Sequence, residues 1–225
     1  MKDLNKKAIV GLLRLVVMLA ALLFLPAWTI HYWQAWIFLS VFSACVLAIT
    51  LYLMKNDPDL LARRMKAGAR AEKEPTQRVI QSLAAVAFAG TIVFPALDHR
   101  FGWSAAPMYL VIAGDGLVVL GLLVIFFVFK ENTFTSGVIE IDAKQRVIAT
   151  GPYGIVRHPM YLGALVMLLG VPPALGSLWG LLALFPFTFV LVWRLLDEEE
   201  FLAKNLPGYA EYRSKVRYRL LPLLW

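Results

Sequence analysis

The sequence predicts an all-α, polytopic transmembrane protein, and three observations predict it. Of the 225 residues 60% are apolar and 16% are charged, and the mean hydropathy is +0.69, outside the range of soluble domains. Six apolar stretches approach the ~20 residues that a helix needs to cross the hydrocarbon. The basic residues collect in alternate connections, as a positive-inside topology requires. At this length the chain reads as one membrane domain. A four-helix N-terminal part covers 1–129, and 130–225 carries the polar motifs.

The first segment, 8–28, follows Lys2, Lys6 and Lys7. A secretory signal peptide would begin the same way. However, Leu25-Pro26-Ala27 offers Leu where a cleavage site wants a small residue, so the stretch reads as an uncleaved anchor. The second segment, 32–54, holds Cys45, the single cysteine. One thiol allows neither a disulfide framework nor a zinc cluster, so Cys45 reads as a small buried hydrophobe and no metal is expected.

The connection 55–78 sets Leu60, Leu61 and Met65 against Arg63, Arg64 and Lys66. That pattern suits either a short amphipathic helix on the membrane surface or a solvated basic loop. The third and fourth segments are 79–97 and 105–129. Asp115 lies well inside the fourth, between Gly114 and Gly116. It reads either as a carboxylate with a substrate or relay role, or as a polar side chain paired across closely packed helices.

The last two segments, 160–176 and 178–196, form a hairpin whose thirty residues from Ala164 to Trp193 include no charged side chain or histidine. Pro172-Pro173 should end or bend the first of them. Three basic residues precede the first helix, seven lie in 55–78, four in 130–157 and five after 203, whereas Arg100 stands alone on the other side. This bias predicts that both termini are cytoplasmic. It also accounts for the +7 charge without nucleic acid as a partner, since no basic face with interleaved aromatics lies outside these loops.

Two polar clusters stand at the ends of the uncharged hairpin. The first is GPYGIVRHPMYLG, 151–163. Its glycines permit positive φ or close approach, and Pro159 pushes His158 out of helical geometry, so it predicts a tight turn just before a helix. His158 and Tyr161 would flank that helix's free N–H groups, either as binding residues or as a capping histidine and an interfacial tyrosine. The second is RLLDEEEFL, 194–202. Asp197 to Glu200 resemble a solvated helix end, but Arg194 and Glu198 are four apart and share a face. Arginine suits an anionic substrate, and the carboxylate suits a cation or diol. The polar loop 131–159 between the fourth and fifth segments predicts short extended pieces leading into the motif. The end LPGYAEYRSKVRYRLLPLLW alternates aromatic and basic residues, as an interfacial helix would with its tyrosines turned inward.

Arg157-His158-Pro159-Met160-Tyr161-Leu162-Gly163, the apolar hairpin, Arg194 through Glu198-Glu199 to Leu202, and then Tyr209 and Tyr212 resemble the isoprenylcysteine carboxyl methyltransferase and phospholipid methyltransferase superfamily. The resemblance covers about 130–219, and the chain before 130 has no matching motif. It implies an integral membrane methyltransferase that uses S-adenosyl-L-methionine at the cytoplasmic face on a lipophilic substrate. It further implies cofactor contacts from Val147, Ile148, Tyr153, His158, Pro159, Met160, Tyr161 and Glu198. By the same resemblance Arg194 engages an acceptor carboxylate, so Arg194 and Glu198 carry the catalytic roles. The alternative is an NADPH-dependent membrane reductase of the sterol reductase type, whose C-terminal motif is similar. Those enzymes tend to have Asn where Met160 stands and an acid where Ala164 stands.

Overall fold

The computed structural model describes residues 2–72 and 74–225, and among these the regular structure is helical. Eight α-helices follow in order: α1 Lys2–Ala27, α2 Trp33–Asn56, α3 Pro58–Met65, α4 Pro75–Phe101, α5 Met108–Glu131, α6 Pro159–Ala174, α7 Leu184–Asn205 and α8 Tyr209–Lys215. Five stretches are long and apolar enough to cross a membrane: α1, α2, α4, α5, and Trp179–Asn205, which joins a 3-10 turn to α7. The sixth expected segment is α6, with 16 residues. At 1.5 Å per residue it reaches about 24 Å, short of the ~30 Å hydrocarbon. Pro172 and Pro173 lie in its final turn, where they end it as the sequence predicts.

Buried side chains of α1, α2, α4, α5 and α6 form the main core, including Leu19, Phe38, Ile92, Val118 and Leu168. Cys45 packs part-buried against it as a free thiol. The tightest pair is α5 with α6. A Cβ added to Gly114 would lie 2.3 Å from Ala174 N, and one on Gly121 would lie 2.4 Å from Met167 N. From the α6 side, a Cβ on Gly170 would meet Gly114 O at 2.4 Å. Such backbone contact needs small residues on both helices. Gly170→Ala therefore forces two backbones apart, and we expect a loss of about 1–3 kcal/mol, read as a lower melting temperature of the solubilised protein. Gly116 faces open space, so Gly116→Ala is the matched control and should melt unchanged.

Asp115 is half-buried, and its Oδ1 has no hydrogen-bond partner among the described residues. The pairing across helices expected for it is not made, and it stands apart from the cavity described below.

In the 55–78 connection the amphipathic helix forms as α3. Pro58 opens it, and the Asp57 carboxylate caps the Leu60 N–H at 2.9 Å. Its apolar side faces protein, with Leu60 and Leu61 packed on Ala8, Leu53 and Phe129. The same cluster brings the start of α1, the end of α2 and the end of α5 to one end of the bundle. The α5–α6 loop, 132–158, has no strands. It is fastened to α3 instead, by Arg63 to Thr133 O at 2.9 Å and Asp142 at 3.2 Å.

Candidate functional site

The motif folds as predicted. Gly151 takes φ +56° and opens a 3-10 turn to Gly154, His158 has φ −124° and ψ 61°, and Pro159 begins α6. The chain beyond α8 then returns beneath the motif. The Arg157 N–H donates to Tyr218 O and the His158 N–H to Arg219 O, both at 2.9 Å. Tyr212 donates to Tyr153 O at 2.8 Å. Tyr209 and Tyr212 of α8 turn inward and are buried, as the aromatic spacing predicts.

Because α6 leads away from this end and α7 leads back to it, the two polar clusters meet. The four adjacent acids of α7 point four ways. Asp197 accepts from Gln77, Glu198 accepts from the Tyr161 hydroxyl, Glu199 turns beneath the motif, and Glu200 pairs with Lys204 in solvent. Glu199 is 4% exposed and gathers three cationic or ring nitrogens: Arg157 Nε at 3.1 Å, His158 Nε2 at 3.3 Å and Arg219 Nε at 2.9 Å. Burial lowers the Arg157 pKa, and Glu199 opposes that shift. The His158 ring also stacks on Tyr161, with centroids 5.6 Å apart.

Arg194 and Glu198 share a face as expected, but Tyr161 bridges them: Arg194 Nε donates to the same hydroxyl at 3.2 Å. Its remaining bonds reach residues that motif reasoning missed. They run to Gln77 Oε1 at 2.9 Å, Glu72 Oε1 at 3.0 Å and Gly137 O at 3.4 Å. Gln81 bonds both Glu72 and Gly137 O, at 3.2 and 3.1 Å. The signals for these residues were an acid inside a basic connection, and two glutamines one turn apart at the start of an otherwise apolar helix.

A cavity of about 420 Å³ lies between these elements, within the size range of small-molecule sites. All nine residues singled out in the sequence line it: Val147, Ile148, Tyr153, His158, Pro159, Met160, Tyr161, Arg194 and Glu198. Arg64 from α3 and Gln81 from α4 join them. Burial pushes the Tyr153 phenol above its ordinary range, so it stays neutral, with Asn132 Nδ2 donating to it at 3.1 Å. Besides Glu140, Tyr209, Tyr212 and four arginines, the wall carries the Glu198 carboxylate at the motif, the Tyr153 and Tyr161 rings and apolar surface. Those last groups fit a cation carried on an organic body and attract it through charge and ring faces.

The phospholipid methyltransferase family pattern matches residues 109–207. Two curated relatives cover parts of the chain. The Delta(14)-sterol reductase of Mus musculus is 36% identical over 105 residues, 43% of this chain and 25% of the reductase. The cobalt-zinc-cadmium resistance protein CzcN of Cupriavidus metallidurans is 29% identical over 101 residues, 44% of this chain and 46% of that protein. The matches therefore span a quarter and just under half of these relatives' lengths.

Proposed function

We infer, because residues 109–207 match the pattern of the phospholipid methyltransferase family, in the isoprenylcysteine and phospholipid methyltransferase superfamily, that this chain is an integral membrane methyltransferase. It uses S-adenosylmethionine and acts on a lipophilic acceptor. The observation that carries the reading is that the Tyr161–Glu198 pair and the cofactor-type residues of the loop share one cavity at one end of the bundle. That end holds the basic connections, so we assign it to the cytoplasmic face, with both termini.

Bound S-adenosylmethionine supplies an electrophilic methyl group on a sulfonium. Glu198, held by the Tyr161 hydroxyl, provides the negative charge that attracts this cation, and Tyr153 and Tyr161 provide ring faces. Val147, Ile148, Pro159 and Met160 line the same cavity, where apolar walls exclude water and hold the body of the ligand. His158 is tied to Glu199, so it fixes the turn rather than acting as a base. Arg194 stands on the α7 wall beside Gln77 and Glu72. A carboxylate-bearing acceptor engages it by exchanging with Glu72, and a carboxylate nucleophile needs no general base.

The second reading, an NADPH-dependent reductase, is favoured by the identity shared with the Delta(14)-sterol reductase. Calorimetry on the purified full chain in nanodiscs separates the two. We expect S-adenosylmethionine to bind and NADPH to give no heat; the reverse result would replace the assignment. Transfer of a labelled methyl group to extracted membrane lipids then identifies the acceptor. Arg194→Gln should keep cofactor affinity within about threefold and reduce transfer by roughly tenfold or more. Equal loss of both would remove the division of roles.

A further inference from the structure

Four arginines line the cavity: Arg64, Arg146, Arg157 and Arg194. Arg157 is matched by Glu199 and Arg194 by Glu72, and Arg146 is exposed to solvent. Arg64 differs. Its guanidinium gives one hydrogen bond to Ser136 O at 2.8 Å and one weak contact to Met160 Sδ at 3.7 Å, and it lies 5.2 Å from the Phe129 ring centroid. Among the described residues no carboxylate stands within ion-pair distance of it, while Arg63, one position earlier, has Asp142. Burial opposes the Arg64 charge, and Arg194 adds to that repulsion.

A guanidinium on a cavity wall with most of its fork unused is incomplete without an anion. Of the two carboxylates that line the cavity, Glu198 is bonded to Tyr161 and Glu140 accepts from the Ser136 hydroxyl at 3.4 Å, so neither pairs with Arg64. We propose that Arg64 is the subsite for the aminoacyl carboxylate of the methyl donor, holding it through the free edge of its planar fork. The proposal rests on the methyltransferase reading above. It places the carboxylate against Met160 and Ser136, on the loop and motif side of the cavity. The sulfonium lies with Glu198 and Tyr161, so the sulfonium and the carboxylate of the ligand each meet an opposite charge. Arg64 reaches the cavity from α3, far from the motif in sequence, and nothing in the pattern of residues 109–207 includes it.

The test compares two nucleosides binding to the full chain in nanodiscs. S-adenosylhomocysteine carries the carboxylate, and 5′-methylthioadenosine keeps the nucleoside and thioether without it. Arg64→Gln should weaken S-adenosylhomocysteine by roughly tenfold or more and leave 5′-methylthioadenosine within about twofold. If Arg64→Gln does not fold, Arg64→Lys carries the test. A compact ammonium cannot make the two-pronged contact, so the preference for S-adenosylhomocysteine should fall several-fold. Unchanged preference in the folded variant, or equal loss for both ligands, overturns the proposal. Intact S-adenosylhomocysteine binding with reduced methyl transfer overturns it too, and moves Arg64 to the acceptor. If the unaltered chain binds neither nucleoside, it is the methyltransferase reading that fails.

Discussion

Glu198→Gln will bind S-adenosylmethionine roughly ten- to hundredfold more weakly than the unaltered chain, and S-adenosylhomocysteine only a few-fold more weakly. The substitution keeps the shape of the side chain and an oxygen that can accept from Tyr161, but it removes the charge. A charge-assisted bond is worth about 1.5–3 kcal/mol, and each 1.4 kcal/mol is tenfold in affinity. The difference between the two ligands is diagnostic, because one carries a sulfonium and the other a neutral sulfur. Loss of a charge that faces the sulfonium penalises the first selectively. Calorimetry with both ligands measures it, and a melting temperature close to that of the unaltered chain shows that the fold survived. Equal loss for both ligands would make Glu198 a structural residue of the Tyr161–Arg194 link. Arg194 is left without the carboxylate that Tyr161 relays to it, yet it keeps Glu72, so no buried charge is orphaned.

His158, Pro159, Met160, Tyr161, Arg194 and Glu198 were legible because each lies within a short stretch whose geometry local rules fix, whereas Val147, Ile148 and Tyr153 were picked out by the family resemblance alone. Pro159 sets where α6 begins, the uncharged hairpin returns α7 to the same end, and a spacing of four puts Arg194 and Glu198 on one face. The α5–α6 loop was less legible. Its apolar residues suggested extended pieces, but it lacks strands and hangs on side chains of α3 and α4. Glu72, Gln77 and Arg64 were not legible as site residues. The hydrogen bond between Arg194 and Glu72 spans 122 positions, and it exists because α4 packs on α7, which no local pattern specifies. The short reach of α6 could be read from Pro172-Pro173. Its backbone-close packing on α5 could not be assigned from Gly114 and Gly116 alone, since one of them is a contact and the other faces open space. The division of labour among Asp197, Glu198, Glu199 and Glu200 likewise depends on what α4, α6 and the C-terminal tail bring to the helix.

Glu199→Ala tests that division from the other side, and its effect should fall on stability. The removed carboxylate is the common partner of Arg157, His158 and Arg219, and the side chains of Glu199 and Arg157 are only 4% and 6% exposed. Taking one partner from a buried ion pair costs about 3–5 kcal/mol, because the remaining charge is left without compensation. For a chain of this size that corresponds to a fall of roughly 6–20 °C in the melting temperature. The first region to loosen is the tail after α8, which is joined to the motif by Arg157 N–H to Tyr218 O and His158 N–H to Arg219 O. Protease cleavage after Arg217 or Arg219 should therefore accelerate before global melting. Arg219→Ala alone should cost less, since that side chain is 29% exposed and water replaces part of what it loses. The double variant Glu199→Ala/Arg219→Ala should lose less than the sum of the two, because removing the arginine relieves one of the unpaired cations. Strict additivity, or a Glu199→Ala chain that melts like Glu198→Gln, would mean that the two adjacent glutamates are interchangeable and that α7 presents no distinction between a ligand-facing and a fold-holding carboxylate.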